Sequence, residues 1–319
     1  MWLIGIDEAG YGPNLGPFVM TAVAFRVPQD SQERDLWKLL RAAVRRPDED
    51  DDERLLIEDS KQVYSTARGL AALEYGVLAA LPWRLSVACQ AAEMLNALGA
   101  DQDHEIYQEI WFHGQTSLPT HVESPKLESG FELFSSACRE ADVFQGLIQS
   151  AIICPGRFNQ IVDYHGTKGA VLGQALAQLL PAQIKACSAG DNVLCFIDKH
   201  GGRNSYAAML QDALCEGIVL AHEECMARSV YTVHGLEREV RLTIQPRADA
   251  EHFCVALASM VSKYVRELLM LEFNQYWLDK VDGLRPTAGY PGDAARFYHA
   301  IRPAIKRLAI APESIWRCR

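Results

Sequence analysis

Apolar residues along this chain fall into short runs that stop at acids, glycines or prolines, and two of the runs share one form. Trp2 to Ile6 is brief, rich in β-formers, and ends at adjacent carboxylates, Asp7 and Glu8. Asn192 to Ile197 does the same and ends at Asp198. Each pattern predicts a buried strand that delivers a carboxylate to its end. After the first run, Gly10, Gly12 and Gly16 with Pro13 and Pro17 predict a tight loop, where backbone N–H groups can approach a ligand because no Cβ intervenes. The apolar run Phe18 to Phe25 follows as the next strand. After the second run, Lys199 to Arg203 is a glycine loop; Lys199 and His200 read first as exposed loop residues, with a proton-shuttle role open to His200.

The rest of the chain supplies further strands and helices. Gln32 to Arg46 predicts a surface helix, and Asp48 to Glu53 an acidic solvated loop. Leu55 to Ile57 carries Asp59, Ser60 and Lys61 at its end, and Ser65 with Thr66 predicts a capped start for a helix over Ala67 to Ala80. From about Arg84 to Asp142 the pattern breaks at Pro119, Pro125 and Gly130, which predicts an inserted mixed segment beside the main fold. Gly146 to Cys154 reads as a strand, Pro155 to Asn159 as a turn, and Asp163 to Leu180 as a helix at a period of about 3.6. Ile218 to Ala221, Ser229 to Val233 and Glu239 to Ile244 read as strands. Phe253 to Phe273 is a long helix with a broad apolar face, opening a helical region over about 250–319; Asp249 lies just before its start, where Pro246 helps enforce a turn.

Composition narrows the class without naming a partner. With 49% hydrophobic and 23% charged residues in 319, the chain is an ordinary globular protein, neither fibrous nor disordered. Apolar runs stop well short of the roughly 18 residues a membrane span needs, so a soluble cytoplasmic protein is expected. The nine cysteines are scattered with no C-x-x-C pair, which fits reduced thiols and argues against a structural zinc site. A net charge of −10 does not advertise nucleic-acid binding, but cations held over carboxylates supply positive charge locally.

The candidate chemistry rests on four acids at element ends, Asp7, Glu8, Asp198 and Asp249. Crowded carboxylates repel and require protonation or bound cations. Hard oxygen ligands without cysteine or paired histidines favour magnesium or manganese over zinc. Two such ions about 4 Å apart can activate a water and stabilise the leaving oxygen of a phosphodiester. An isolated Asp249 would otherwise read as a helix cap.

Taken in chain order, these motifs resemble ribonuclease HII, the type 2 ribonucleases H. The resemblance lies in Asp7-Glu8-Ala9-Gly10-Tyr11-Gly12-Pro13, in Asp59-Ser60-Lys61, and in Phe196-Ile197-Asp198. It continues through Arg247-Ala248-Asp249 with Ala258-Ser259 to Lys263, and Gly289-Tyr290-Pro291-Gly292. It runs over nearly the whole chain and implies a single α/β domain over 1–319, a ribonuclease H-like mixed sheet flanked by helices; the insertion at about 84–142 has no counterpart in it. It also implies an endonuclease that cuts the RNA strand of RNA/DNA hybrids, using two Mg2+ or Mn2+ ions held by Asp7, Glu8, Asp198 and Asp249. Gly10, Tyr11, Gly12 and Tyr290 would read the ribose 2′-hydroxyl and Lys61 would contact phosphate. Nucleic acid is then the partner, with no obligate protein partner and no membrane. Tyr11 stands where the family usually has Arg or Lys and brings no charge. The residues leave two alternatives: the same fold and metals acting on another nucleic acid, or a non-catalytic nucleic-acid-binding protein.

Overall fold

The computed structural model describes residues 1–28, 35–50, 52–65, 69–81 and 89–318. Its centre is a seven-stranded mixed sheet. The strands are β1 (Trp2–Ala9), β2 (Phe18–Arg26), β3 (Phe144–Ile153), β4 (Val193–Asp198), β5 (Ile218–Glu224), β6 (Ser229–His234) and β7 (Val240–Gln245). The order across the sheet is β3-β2-β1-β4-β7-β6-β5. β2 runs antiparallel to both β1 and β3, while β4 is parallel to both β1 and β7. The α/β class with a mixed sheet between helices is the one the resemblance implies.

Three strands at the centre therefore end on the same edge. In the parallel register Ile6 lies beside Ile197 and Asp198 beside Gln245, so Asp7 follows directly alongside Asp198. Ligands of parallel sheets gather beyond such carboxyl ends. The main helices are α1 (Ala71–Ala79), α2 (Ser124–Glu140), α3 (Pro155–His165), α4 (Gly169–Ala186), α5 (Ala207–Ala213), α6 (Phe253–Leu278) and α7 (Pro291–Arg307), with a further short helix over Ala91–Ala97 and shorter turns between. α4 and α5 cover one sheet face, with Leu172, Leu176 and Leu210 on Ile4, Ile6 and Ile197. α6 covers the other with Leu257, Val261 and Val265 against Val19, Val23 and Phe25. The approach of α6 is close enough that a Cβ on Gly5 would lie 2.1 Å from the Cys254 carbonyl carbon, which requires glycine there.

Several boundaries differ from those the pattern predicts, each for a local reason. Pro155 begins α3 at its first helical position instead of marking a turn, since its missing N–H has no partner to lose there. The single helix expected over Asp163 to Leu180 is two, broken where Gly166 takes φ +68° and caps α3. Of the helix expected over Gln32 to Arg46, residues 32–34 lie outside the described residues, Leu36–Leu39 forms one turn, and Val44–Arg45 pairs as a strand with Leu55–Leu56. The start expected for the following helix falls partly on residues 66–68, outside the described residues; α1 begins at Ala71. In the segment expected as an insertion, of which residues 84–88 lie outside the described residues, Met94, Leu95, Ile106, Trp111, Leu118 and Phe134 join the same apolar core as α6.

Candidate functional site

β1 ends in the first two acids because its alternation puts Ile4 and Ile6 into the apolar core under α4, leaving Asp7 on the α6 face at the sheet edge. Asp7 is 6% exposed, and its Oδ1 accepts the Glu8 N–H at 2.8 Å. Ser262 of α6 donates to the Asp7 carbonyl at 3.0 Å and to Thr21 at 2.8 Å, fixing the strand end from beneath. Asp198 closes β4, and its Oδ1 accepts the Ala248 N–H at 2.9 Å. That hydrogen bond ties the turn after β7 to the end of β4, so it brings Asp249 to the other acids. The turn itself requires Arg247 at φ +59°, a left-handed conformation uncommon for a side chain of this size, immediately before the helical turn Ala248–Glu251. Arg46 holds the far side of the turn, donating to the Ala250 carbonyl at 2.8 Å while its guanidinium pairs with the buried Glu58 at 2.8 Å and lies 4.4 Å over Trp37.

The electrostatics show that the four acids converge. Burial first, then the charges of Glu8 and Asp198, push the Asp7 carboxyl well above its usual range. Burial and then Asp198 push Glu8 up to about 8, against a lowering by Lys61. Burial and then Asp59 and Asp198 bring Asp249 to about 6. Asp198 is raised chiefly by burial, with the Ala248 and Lys199 N–H groups pulling the other way. Lys61 faces the group: burial would lower its pKa, but Asp59, Asp7, Asp249 and Asp198 together raise it. Asp59 caps the turn that presents Lys61, accepting its N–H at 3.0 Å, and is a fifth acid at the site that reading the motif did not single out.

The glycine loop packs beside these acids. Gly10 takes φ +84°, and a Cβ there would meet the Arg266 side chain at 2.6 Å and the Pro17 carbonyl at 2.8 Å. Gly12, by contrast, opens on free space. Arg317 is fully buried behind the loop and donates to the Gly10, Gly16 and Pro17 carbonyls at 2.7, 2.8 and 3.1 Å. It is therefore an anchor of the loop. The Gly289 carbonyl accepts the Asn14 and Leu15 N–H groups, which brings Tyr290, 46% exposed, to the same loop with Arg266 5.5 Å over its ring. Tyr11 lacks charge of its own, but the Lys168 ammonium sits 4.7 Å over its ring; burial and then Glu8 raise the Tyr11 pKa, and Arg203 lies near enough to oppose them. Lys168 and Arg203 were invisible to motif reading because they belong to loops far apart in sequence.

His200 is buried behind Glu8 instead of exposed in its loop, with Nε2 3.7 Å from Glu8 Oε2. Burial and then Arg203 lower its pKa to about 4, so the two are no ion pair at neutral pH. Hard oxygens crowded and repelling, with Glu8 Oε2 buried and unpartnered, suit a hard divalent cation by donor chemistry. Among the described residues no three His, Cys, Asp or Glu side chains close into a ligand cage as they stand. No helix among those residues is long and apolar enough to cross a membrane.

No protein-family profile matches the chain, and no curated protein matches its sequence. The chain is similar to solved structures of type 2 ribonucleases H. One is the RNase HII of a PCNA:RNase HII complex from Archaeoglobus fulgidus, at 13% identity and TM-score 0.42 over 100% of this chain and 95% of that one. Another is ribonuclease H2 from Pyrococcus horikoshii OT3, at 15% identity and TM-score 0.44 over 99% and 92%. A third is Bst-RNase HIII in complex with Mn2+, at 15% identity and TM-score 0.42 over 99% and 66%.

Proposed function

We propose that this chain is a metal-dependent endonuclease that hydrolyses phosphodiester bonds in the RNA strand of RNA/DNA hybrids. The observation that carries this reading is the gathering of Asp7, Glu8, Asp198 and Asp249 at one sheet edge, two of them buried and two half-buried, mutually repelling, and faced by Lys61. Those four acids would hold Mg2+ or Mn2+, which, as a pair during turnover, would supply an activated water and charge stabilisation for the leaving oxygen. Lys61 binds a phosphate next to the scissile bond, held in place by the Asp59 cap. Gly10, Gly12, Tyr11 and Tyr290 line the approach where a ribose 2′-hydroxyl distinguishes RNA from DNA, Gly12 leaving the space open for it. Lys168 and Arg203 restore beside Tyr11 a charge that its phenol does not carry.

A second reading follows from Tyr11: the same machinery acting on a different nucleic acid, such as a structured junction or a single strand. End-labelled RNA/DNA hybrid, duplex RNA, duplex DNA, single strands and a DNA duplex with one ribonucleotide, each with Mg2+ or Mn2+, separate the two. Cutting of the hybrid that vanishes in Asp7→Asn supports the first. Metal-dependent cutting confined to another substrate supports the second, and folded, metal-loaded protein that cuts nothing removes both in favour of a binding role.

A further inference from the structure

The loop after β4 adds one group to the carboxylates that the four-acid scheme does not use. The His200 side chain is 1% exposed, and neither Nδ1 nor Nε2 has a hydrogen-bond partner among the described residues. Two unmet ring nitrogens are costly to bury, and such groups in a native protein call for an explanation. Nε2 faces Glu8 Oε2 at 3.7 Å, and that oxygen is also buried and unmet. The gap is too wide for a direct hydrogen bond. Bonds of about 2.1 Å from each atom to a divalent ion reach across it.

The ring is held in this direction from behind. The His200 main-chain N–H donates to Tyr206 Oη at 3.2 Å, and the Tyr206 ring packs edge-on against the imidazole with centroids 5.9 Å apart. Tyr206 in turn donates its N–H to Tyr231 Oη at 2.9 Å, and Tyr231 donates to Glu224 at 2.5 Å. A proton shuttle would have to reach the leaving oxygen of a substrate, and a side chain this deeply enclosed does not.

We infer that His200 is a nitrogen ligand of the metal centre, sharing an ion with Glu8, and that it biases the centre toward manganese over magnesium. Magnesium demands a near-ideal oxygen shell and dehydrates reluctantly, whereas manganese, which also takes hard oxygens, is a first-row transition ion and accepts an imidazole nitrogen more readily. The inference rests on the reading of the four acids as a metal centre.

Mn2+ titrated into the full-length, metal-free protein tests both and tells them apart. Electron paramagnetic resonance reads binding, and its pulsed form reads nitrogen coupling in protein whose histidines carry 15N imidazole. The expected result is an isotope-dependent coupling that disappears in His200→Gln while Mn2+ still binds. In the same variant the preference for Mn2+ over Mg2+, taken as a ratio of dissociation constants, falls about tenfold. The wild-type isotope measurement needs no substitution, so an absent nitrogen coupling overturns the inference whether or not that variant folds. Mn2+ binding that depends on Asp7 but shows no nitrogen coupling overturns the role of His200 and leaves the carboxylate centre intact. A coupling that survives His200→Gln and vanishes in His222→Gln also overturns it, since His222 and His234 flank Thr232 on the surface at 2.8 and 3.2 Å. No Mn2+ binding in the wild-type protein overturns both readings.

Discussion

Two sets of buried carboxylates in this molecule are treated in opposite ways. Glu74 of α1 accepts from the Thr120, His121 and Val122 N–H groups and from the Thr120 and Tyr264 hydroxyls, at 2.6 to 3.0 Å. Glu272 of α6 likewise takes the His113 and Gly114 N–H groups at 2.9 Å and the Thr116 hydroxyl at 2.8 Å. These two acids bolt the insertion to the helices beneath it. At the sheet edge, Asp7 is equally buried but takes the Glu8 N–H and lies against Ser259, while Glu8 Oε2 takes nothing. Saturation by protein donors marks an acid that builds the fold. An acid left short of donors beside other acids marks a place where charge must be supplied from outside.

The largest expected effect separates the two sets by function. Asp7→Asn should lower metal-dependent cleavage by about a thousandfold or more, because it removes a charged ligand from the reacting centre. The same variant should melt, without metal, at or above the wild-type temperature, since it relieves repulsion instead of breaking a contact. Glu74→Ala should do the reverse. Deleting one carboxylate there strands several buried donors, for a loss of about 4 kcal/mol in denaturant unfolding. If Asp7→Asn destabilised the metal-free protein as much as Glu74→Ala, the distinction between the sets would fail.

How far the sequence discloses this division depends on where each set lies. Asp7 and Asp198 end apolar runs, so strand periodicity alone points to both, and parallel pairing of β1 with β4 then brings them side by side. Asp249 was legible only as part of a motif, because what carries it to the site is a turn held by the Ala248 N–H on Asp198 and by Arg46, more than two hundred residues away. Glu74 and Glu272 gave no signal at all. Each is one acid within a helix, and its donors come from a segment whose sequence has no regular period. Burial also reversed the expected place of His200: a polar residue in a glycine-rich loop reads as exposed until tertiary packing covers it.

A smaller effect concerns pH. Glu8 titrates near its usual 4.5 when unfolded but at about 8 in the fold, and Asp249 moves from 3.8 to about 6. Both folded values are raised, so the folded state holds protons that the unfolded chain has released. Their contribution to stability is whole below about pH 4 and is lost as pH rises, first through Asp249 and then through Glu8 near pH 8. Metal-free protein should therefore lose several degrees of melting temperature between about pH 5 and 8, roughly 2–4 °C for each kcal/mol. Glu8→Gln should flatten the upper part of that fall, and saturating Mg2+ or Mn2+ should remove it in the wild type. A wild-type melting curve equally flat with and without metal would mean that the sheet-edge acids are no more strained than Glu74.

The smallest effect lies at the rim of the site. Tyr11 brings no charge to the loop, yet Lys168 sits 4.7 Å over its ring, and Arg203 is close by. If that lysine supplies the phosphate contact that the loop lacks, Lys168→Gln should weaken binding of a hybrid duplex by a few fold. The loss should be similar for every base sequence, and the slope of log affinity against log salt should fall by about one. The metal-dependent chemistry should survive, because Lys168 touches none of the acids. Tyr11→Lys in the Lys168→Gln background places the charge on the loop itself and should recover most of the slope. An unchanged slope in the single variant would show that the ammonium only packs on the Tyr11 ring, and that the basic edge of the site lies instead with Lys61 and Arg203.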